Sequence, residues 1–215
     1  MGCPTASAAS CSTCSAPDPA PRAPSVSGRL FVVAGPSGVG KGTLIARARA
    51  LTPVVTVATS ATTRPRRPDE RDGHAYHFLT GEEFERRVQA GEFLEHVSFA
   101  GNRYGTLRSE VEQRLRDGEN VVLEIEVAGA REIKRQIPDA VLVFVAPPTM
   151  ADLEARLRGR RQNTDTEIRD RLQIAAEELL AQPEFDHVIT NDDVDRAAAD
   201  LAQLMRTAMT AEEPR

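Results

Sequence analysis

No apolar stretch in this sequence approaches the roughly 20 residues that cross a bilayer, so a membrane helix is not expected. A basic surplus is missing too: 27 Lys and Arg stand against 32 Asp and Glu, for a formal net charge of -5. General nucleic-acid binders usually carry the opposite balance, so no nucleic-acid partner is expected. Cysteine is confined to Cys3, Cys11 and Cys14. Beyond them no disulfide framework can brace a core, and a reducing, cytoplasmic setting suits the chain. Cys11-Ser-Thr-Cys14 has metal or redox spacing, yet no second Cys or His pair lies nearby to complete a site.

Residues 1–27 lack hydrophobic periodicity. Ala, Ser and Pro dominate them, and they read as a disordered low-complexity tail. A secretory signal needs a continuous apolar segment after a basic start, which is absent, and a transit peptide would repeat arginine where Arg22 stands alone.

What is present is an ordinary globular composition, 40% hydrophobic and 27% charged over 215 residues, enough for one good core and a small inserted lobe. From residue 29 onward strands and helices alternate. Apolar β-rich runs at 29–34, 54–59, 120–125 and 140–145 read as buried strands, with a short one at 187–190. Helical stretches fall at 43–50, 108–117, 129–136 and 194–209. Thr149 caps a helix running to about 158, and the capping box Thr164-x-x-Glu167 opens another to about 182. This rhythm predicts an α/β fold, a parallel sheet flanked by helices. The polar segment 60–107 interrupts it and carries both tyrosines of the chain. It reads as an inserted substrate lobe: strands at 75–79 and 93–100, a helix at 81–90 and a tight turn over 101–105. The charged stretch at about 158–165 suits a mobile lid. The domain is thus expected over 28–209, with its core in 28–59 and 108–209.

Gly35-Pro36-Ser37-Gly38-Val39-Gly40-Lys41 follows the first strand directly and opens a helix. Such a junction leaves backbone N–H groups facing a shared concavity, which polyphosphate fits because unpaired amides and the helix dipole favour negative charge. Gly35, Gly38 and Gly40 allow backbone conformations and close approach that side chains block. Lys41 adds a mobile cation. The hydroxyl that usually follows the lysine is replaced by Gly42, with Thr43 one residue late.

Arginines cluster in Thr62-Thr63-Arg64-Pro65-Arg66-Arg67, with Ser60 before and Tyr76 after, and guanidinium forks match phosphate oxygens. Asp69, Glu70 and Asp72 nearly cancel that charge. A second set, Arg156, Arg158, Arg160, Arg161, Arg169 and Arg171, surrounds the expected lid and resembles cations that spread over a transferring phosphoryl group. Glu95, Glu124 and Glu126 each end an apolar strand, where a charge is costly without a partner, so they point to a ligand or a magnesium ion.

The linked motifs Gly35–Lys41, Ser60-Ala-Thr-Thr-Arg64, Gly91-Glu-Phe-Leu-Glu95, Gly101-Asn-Arg-Tyr-Gly-Thr106, Phe144-Val-Ala-Pro-Pro148 and Ile189-Thr-Asn-Asp192 resemble, in order and spacing, those of the guanylate kinases. The resemblance spans residues 29 to 209. It implies the nucleoside-monophosphate-kinase fold and transfer from ATP to GMP with Mg2+, giving ADP and GDP, in purine nucleotide metabolism. By the same resemblance, residues 35–43 hold ATP, with Lys41 on its phosphates and Asn191 in the segment against adenine. Ser60, Arg64, Arg67, Tyr76 and Tyr104 hold the GMP phosphate, and Glu95, Thr106 and Glu126 face guanine. Arg160 and Arg171 touch the transferring phosphoryl, supported by Arg156. Magnesium is held through waters and Glu124.

Guanine offers N1–H and an exocyclic N–H2, two donors that one carboxylate can accept, whereas adenine presents a lone pair there. No general base is evident, and none is needed: a phosphate monoester has a second pKa of about 6 and is largely ionised at pH 7. Two departures from the family stand beside Gly42. Glu126 replaces the usual Asp and Ala128 a common Gln. A guanylate-kinase-like module that binds phosphorylated proteins, or a kinase for another phosphate acceptor, are the alternatives. The intact glycines and Lys41 speak against the first, and Glu95 with Thr106 against the second. Oligomeric state is open.

Overall fold

The computed structural model describes residues 28–99, 101–159 and 164–210. The tail with its three cysteines, and Arg160 and Arg161 of the expected lid, lie outside the described residues. The chain begins with β1 (Leu30–Ala34), α1 (Lys41–Leu51) and β2 (Val55–Val57). Then come β3 (Ala61–Thr62), β4 (His77–Phe78), α2 (Gly81–Gln89), β5 (Phe93–Phe99) and β6 (Asn102–Leu107). It continues through α3 (Arg108–Arg116), β7 (Asn120–Glu124), α4 (Val127–Gln136), β8 (Val141–Ala146) and α5 (Met150–Gly159). Last are α6 (Asp165–Leu179), β9 (His187–Thr190) and α7 (Val194–Thr210).

All five side chains of β1 are buried, so the strand needs cover on both faces. Phe31 and Val33 join one apolar cluster with Leu44 and Ile45 of α1 and Leu201 of α7. Leu30, Val32 and Ala34 join another with Val111 of α3 and Ala130 and Ile133 of α4. Successive strand side chains point to opposite faces, so five residues serve both halves of the core. Sheet order is β2-β7-β1-β8-β9, and every pair is parallel. With neighbours acquired on both sides of β1, a crevice opens at its carboxyl end, the usual ligand position in such sheets. Among the described residues, no helix is long and apolar enough to cross a membrane.

A second sheet, of order β4-β3-β6-β5, packs over Ala61, Phe84, Phe93 and Leu107. Here the expected tight turn over 101–105 is corrected. Asn102 to Leu107 is a strand antiparallel to β5, running from Phe99↔Asn102 to Phe93↔Leu107. Of residues 101–105, Gly101, at φ 75°, lies in the reversal. The glycine that suggested a turn, Gly105, is there for close approach: a Cβ on it would lie 2.8 Å from the Glu95 carbonyl oxygen. β3 is a two-residue strand that the sequence analysis did not assign, and its two buried residues are held by pairing to both β4 and β6. The two caps appear as expected. Thr149 Oγ1 accepts the Asp152 N–H, and Thr164 and Glu167 form a reciprocal capping box.

Candidate active site

After Ala34 the chain turns through the glycine loop into α1. Gly35 and Gly40 have φ of 142° and 98°, and a Cβ on Gly40 would lie 2.9 Å from the Asn191 amide nitrogen. No acidic residue occupies the first turn of α1, and its N-cap, Gly40, has no side chain to cap it; from outside the helix the Glu124 carboxylate accepts the Gly42 N–H. Its leading N–H groups therefore favour an incoming anion. Lys41 is buried, and its Nζ donates to the carbonyls of Gly35 at 2.5 Å and Pro36 at 3.4 Å. Asn191 Nδ2 and Arg156 Nη1 both donate to the Val39 carbonyl, at 2.8 and 3.0 Å, and Arg156 Nη2 donates to the Asn191 carbonyl at 2.7 Å. These two side chains thus tie the loop to α5 and to the end of β9.

The loop opens on a cavity of about 450 Å³. Pro36, Ser37, Gly38 and Gly40 to Thr43 line one side, and Ser60, Tyr76, Glu95, Tyr104, Glu124 and Glu126 line the rest. Most of the expected site residues therefore converge on one space. Thr106 stands directly behind Glu95, donating its hydroxyl to Oε1 at 2.7 Å. Arg67 is exposed and Arg171 half-buried on α6, and neither lines the cavity.

Glu95 is 4% exposed, and no salt bridge reaches it among the described residues. Burial pushes its carboxyl up to about 7; the Thr106 hydroxyl and N–H work against that shift, and the charge of Glu126 adds to it. Glu124 keeps its carboxylate accessible from the cavity yet sits deep enough among protein atoms to be raised. Withdrawal from water dominates, Lys41 opposes it, and the Gly42 N–H donates to the carboxylate.

Arg64, likewise not lining the cavity, is paired with a carboxylate. Its guanidinium meets Glu70 in a fork, Nη2 to Oε1 at 2.7 Å and Nη1 to Oε2 at 3.0 Å, and lies 5.4 Å from the Tyr76 ring centroid. Glu70 also accepts the Arg67 N–H at 2.8 Å. The Arg64 side chain and the Arg67 N–H hold the Glu70 carboxyl down at about 2. The sequence reading counted Glu70 only as charge balance. Its place, three residues past Arg67, was the available signal.

Glu178 of α6 was missed altogether. Its carboxyl accepts the Val127 N–H at the start of α4 and shares a hydrogen bond with Glu126. Burial, then the Glu126 charge, raise the Glu178 carboxyl to about 7. Both line a second cavity of about 260 Å³ beside the first. Nothing local in sequence links a residue late in one helix to the start of another. Among the described residues no three His, Cys, Asp or Glu side chains form a metal cage. A cation beside Glu124 would therefore be shared with phosphate oxygens and water.

A family model described as guanylate kinase matches residues 27–208. The guanylate kinase of Frankia casuarinae is 52% identical over 176 residues, covering 82% of this chain and 96% of that protein. That of Synechococcus sp. (strain JA-3-3Ab) is 47% identical over 206 residues, covering 92% and 95%. The crystal structure of guanylate kinase from Anaplasma phagocytophilum is similar with a TM-score of 0.70 at 28% identity, covering 86% of this chain and 87% of that one.

Proposed function

The chain belongs to the guanylate kinase family, so it phosphorylates GMP to GDP with ATP, and we propose that it does so by in-line transfer between nucleotides meeting tail to tail in the main cavity. One observation carries the division of labour. A glycine loop suited to polyphosphate and a buried, cation-free carboxylate line the same space. The loop, residues 35–43, takes the ATP phosphates, with Lys41 moving from its carbonyl partners onto them. Asn191 braces that loop beside the adenine segment. Ser60, Arg64, Arg67, Tyr76 and Tyr104 take the GMP phosphate, and Glu70 pre-aligns Arg64. Glu95, backed by Thr106, accepts both guanine donors, and Glu126 lies alongside.

The GMP phosphate is its own nucleophile, so the protein's contribution is to align and screen two anions. Arg160 and Arg171 reach the transferring group when the lid at about 158–165 closes with the 60–107 lobe, excluding water. The Glu124 carboxylate beside Lys41 fits magnesium, and Glu124 with phosphate oxygens and water would hold it. When bound, the ion screens the β- and γ-phosphate charge. The reaction serves purine nucleotide metabolism and GMP recycling, and the cysteine-free domain suits a reducing cytoplasm.

An enzyme-linked ADP-release assay with GMP, AMP, UMP and CMP as acceptors tests the assignment. Turnover with GMP alone is expected; comparable turnover with AMP would remove Glu95 from the base site.

A further inference from the structure

Position 42 is the second residue of α1, immediately after the lysine, and has no side chain. Its space is filled from another element. The Glu124 carboxylate, at the end of β7, accepts the Gly42 N–H. A Cβ built on Gly42 would lie 3.1 Å from Glu124 Oε2 and 3.4 Å from Oε1. The carboxylate therefore sits where the first atom of any side chain at 42 would push against it. Thr43 also lines the cavity but stands about 100° further round the helix axis, so it does not fill the position beside the Gly42 N–H.

We propose that Gly42 and Glu124 form a size-matched pair, in which Glu124 supplies to the cation of Mg·ATP the side-chain oxygen that position 42 lacks, and the bare Gly42 is what admits it. The inference rests on the reading of the loop as the Mg·ATP site. A carboxylate oxygen is at least as good a ligand for a hard divalent cation as a hydroxyl, directly or through water. The reach of glutamate is part of the fit: aspartate would be shorter by one methylene, about 1.5 Å, and would draw the oxygens away from the helix start. Lys41 beside Glu124 opposes the upward pull that burial exerts on the carboxyl.

The test uses the full chain and its Gly42→Ser, Gly42→Ala, Glu124→Asp, Gly42→Ser/Glu124→Asp and Gly42→Ala/Glu124→Asp variants. Mn2+ binding is read by electron paramagnetic resonance with a non-hydrolysable ATP analogue, and melting temperatures separate loss of fold from loss of ligand. Each single variant is expected to weaken Mn2+ about tenfold, the size of a typical contact interaction. The Ser/Asp double variant should recover most of that loss, since the shorter acid makes room and the hydroxyl supplies the oxygen. The Ala/Asp pair should not recover, having no hydroxyl. Additive losses in the Ser/Asp pair, or single variants that bind as wild type does, would overturn the pairing while leaving the Mg·ATP reading intact. Wild type that shows no analogue-dependent Mn2+ binding would overturn that reading, and the pairing with it.

Discussion

The Glu95 carboxyl is raised to about 7, and in the proposed site its charged form is the one suited to accept two guanine N–H groups. Binding GMP then draws the carboxyl down toward its ordinary range, so GMP affinity rises with pH through about 7. The phosphate of GMP, with a second pKa of about 6, contributes a slope of its own at lower pH. Above about pH 7 the phosphate contributes little, and the slope expected there is that of Glu95, with Glu178 beside Glu126 as the competing group. Calorimetric titration of Glu95→Gln should lose that slope and weaken GMP roughly 10- to 100-fold, the cost of opposing a donor to a donor in a buried site. ATP affinity should stay near wild type. A variant that kept the slope would assign it to another group.

Among elements, the glycine loop depends on parts of the fold far from it in sequence. The carbonyl of Val39 is gripped by Asn191 from 152 residues away and by Arg156 from 117 away. Replacing Asn191 by Ala leaves that buried carbonyl one donor short and removes a contact from Gly40, at a cost of about 1–3 kcal/mol in stability. With the loop as the proposed ATP element, KM for ATP should rise well above any change in KM for GMP. An equal rise in both would mean that Asn191 supports the fold generally and not the loop. The P-loop was legible in sequence because strand, turn, lysine and helix are contiguous, and their order implies their geometry. The strand nature of 102–107 was hidden, because a glycine needed for cross-strand approach looks the same as one needed for a turn. Glu70, Glu178 and the Gly42–Glu124 contact were not legible as site features, since each depends on which elements meet.

For the molecule as a whole, the cavity is a source of instability. Glu95 has its folded pKa raised above the ordinary 4.5 to about 7. The folded protein therefore binds a proton more tightly than the unfolded chain, and this contribution to stability is complete below about 4.5 and lost as pH rises through about 7. At pH 8 the fold holds a buried charge without a cation partner among the described residues. Glu95→Gln should thus raise the melting temperature of the ligand-free protein at pH 8 by about 2–4 °C, equivalent to about 1 kcal/mol in a domain of this size. At pH 5 the gain should shrink toward zero. Thermal melts at both pH values check this, and a gain larger at pH 5 would reverse the sign of the argument. A site that loses stability when a residue is kept for its ligand is a common trade-off in enzymes.

The buried strands and the phosphate loop were determined by sequence alone, since each is written in a contiguous run whose periodicity or motif carries its own geometry; the proposed guanine-facing acids rest on the resemblance of linked motifs. Tertiary structure decided the rest: which acid braces which arginine, which two carboxyls meet at the start of α4, and which carboxylate occupies the space left by Gly42. Those outcomes turn on distances between residues brought together only when the parallel sheet closes. Burial and short-range contact then set charge and position, and neither can be read along the chain.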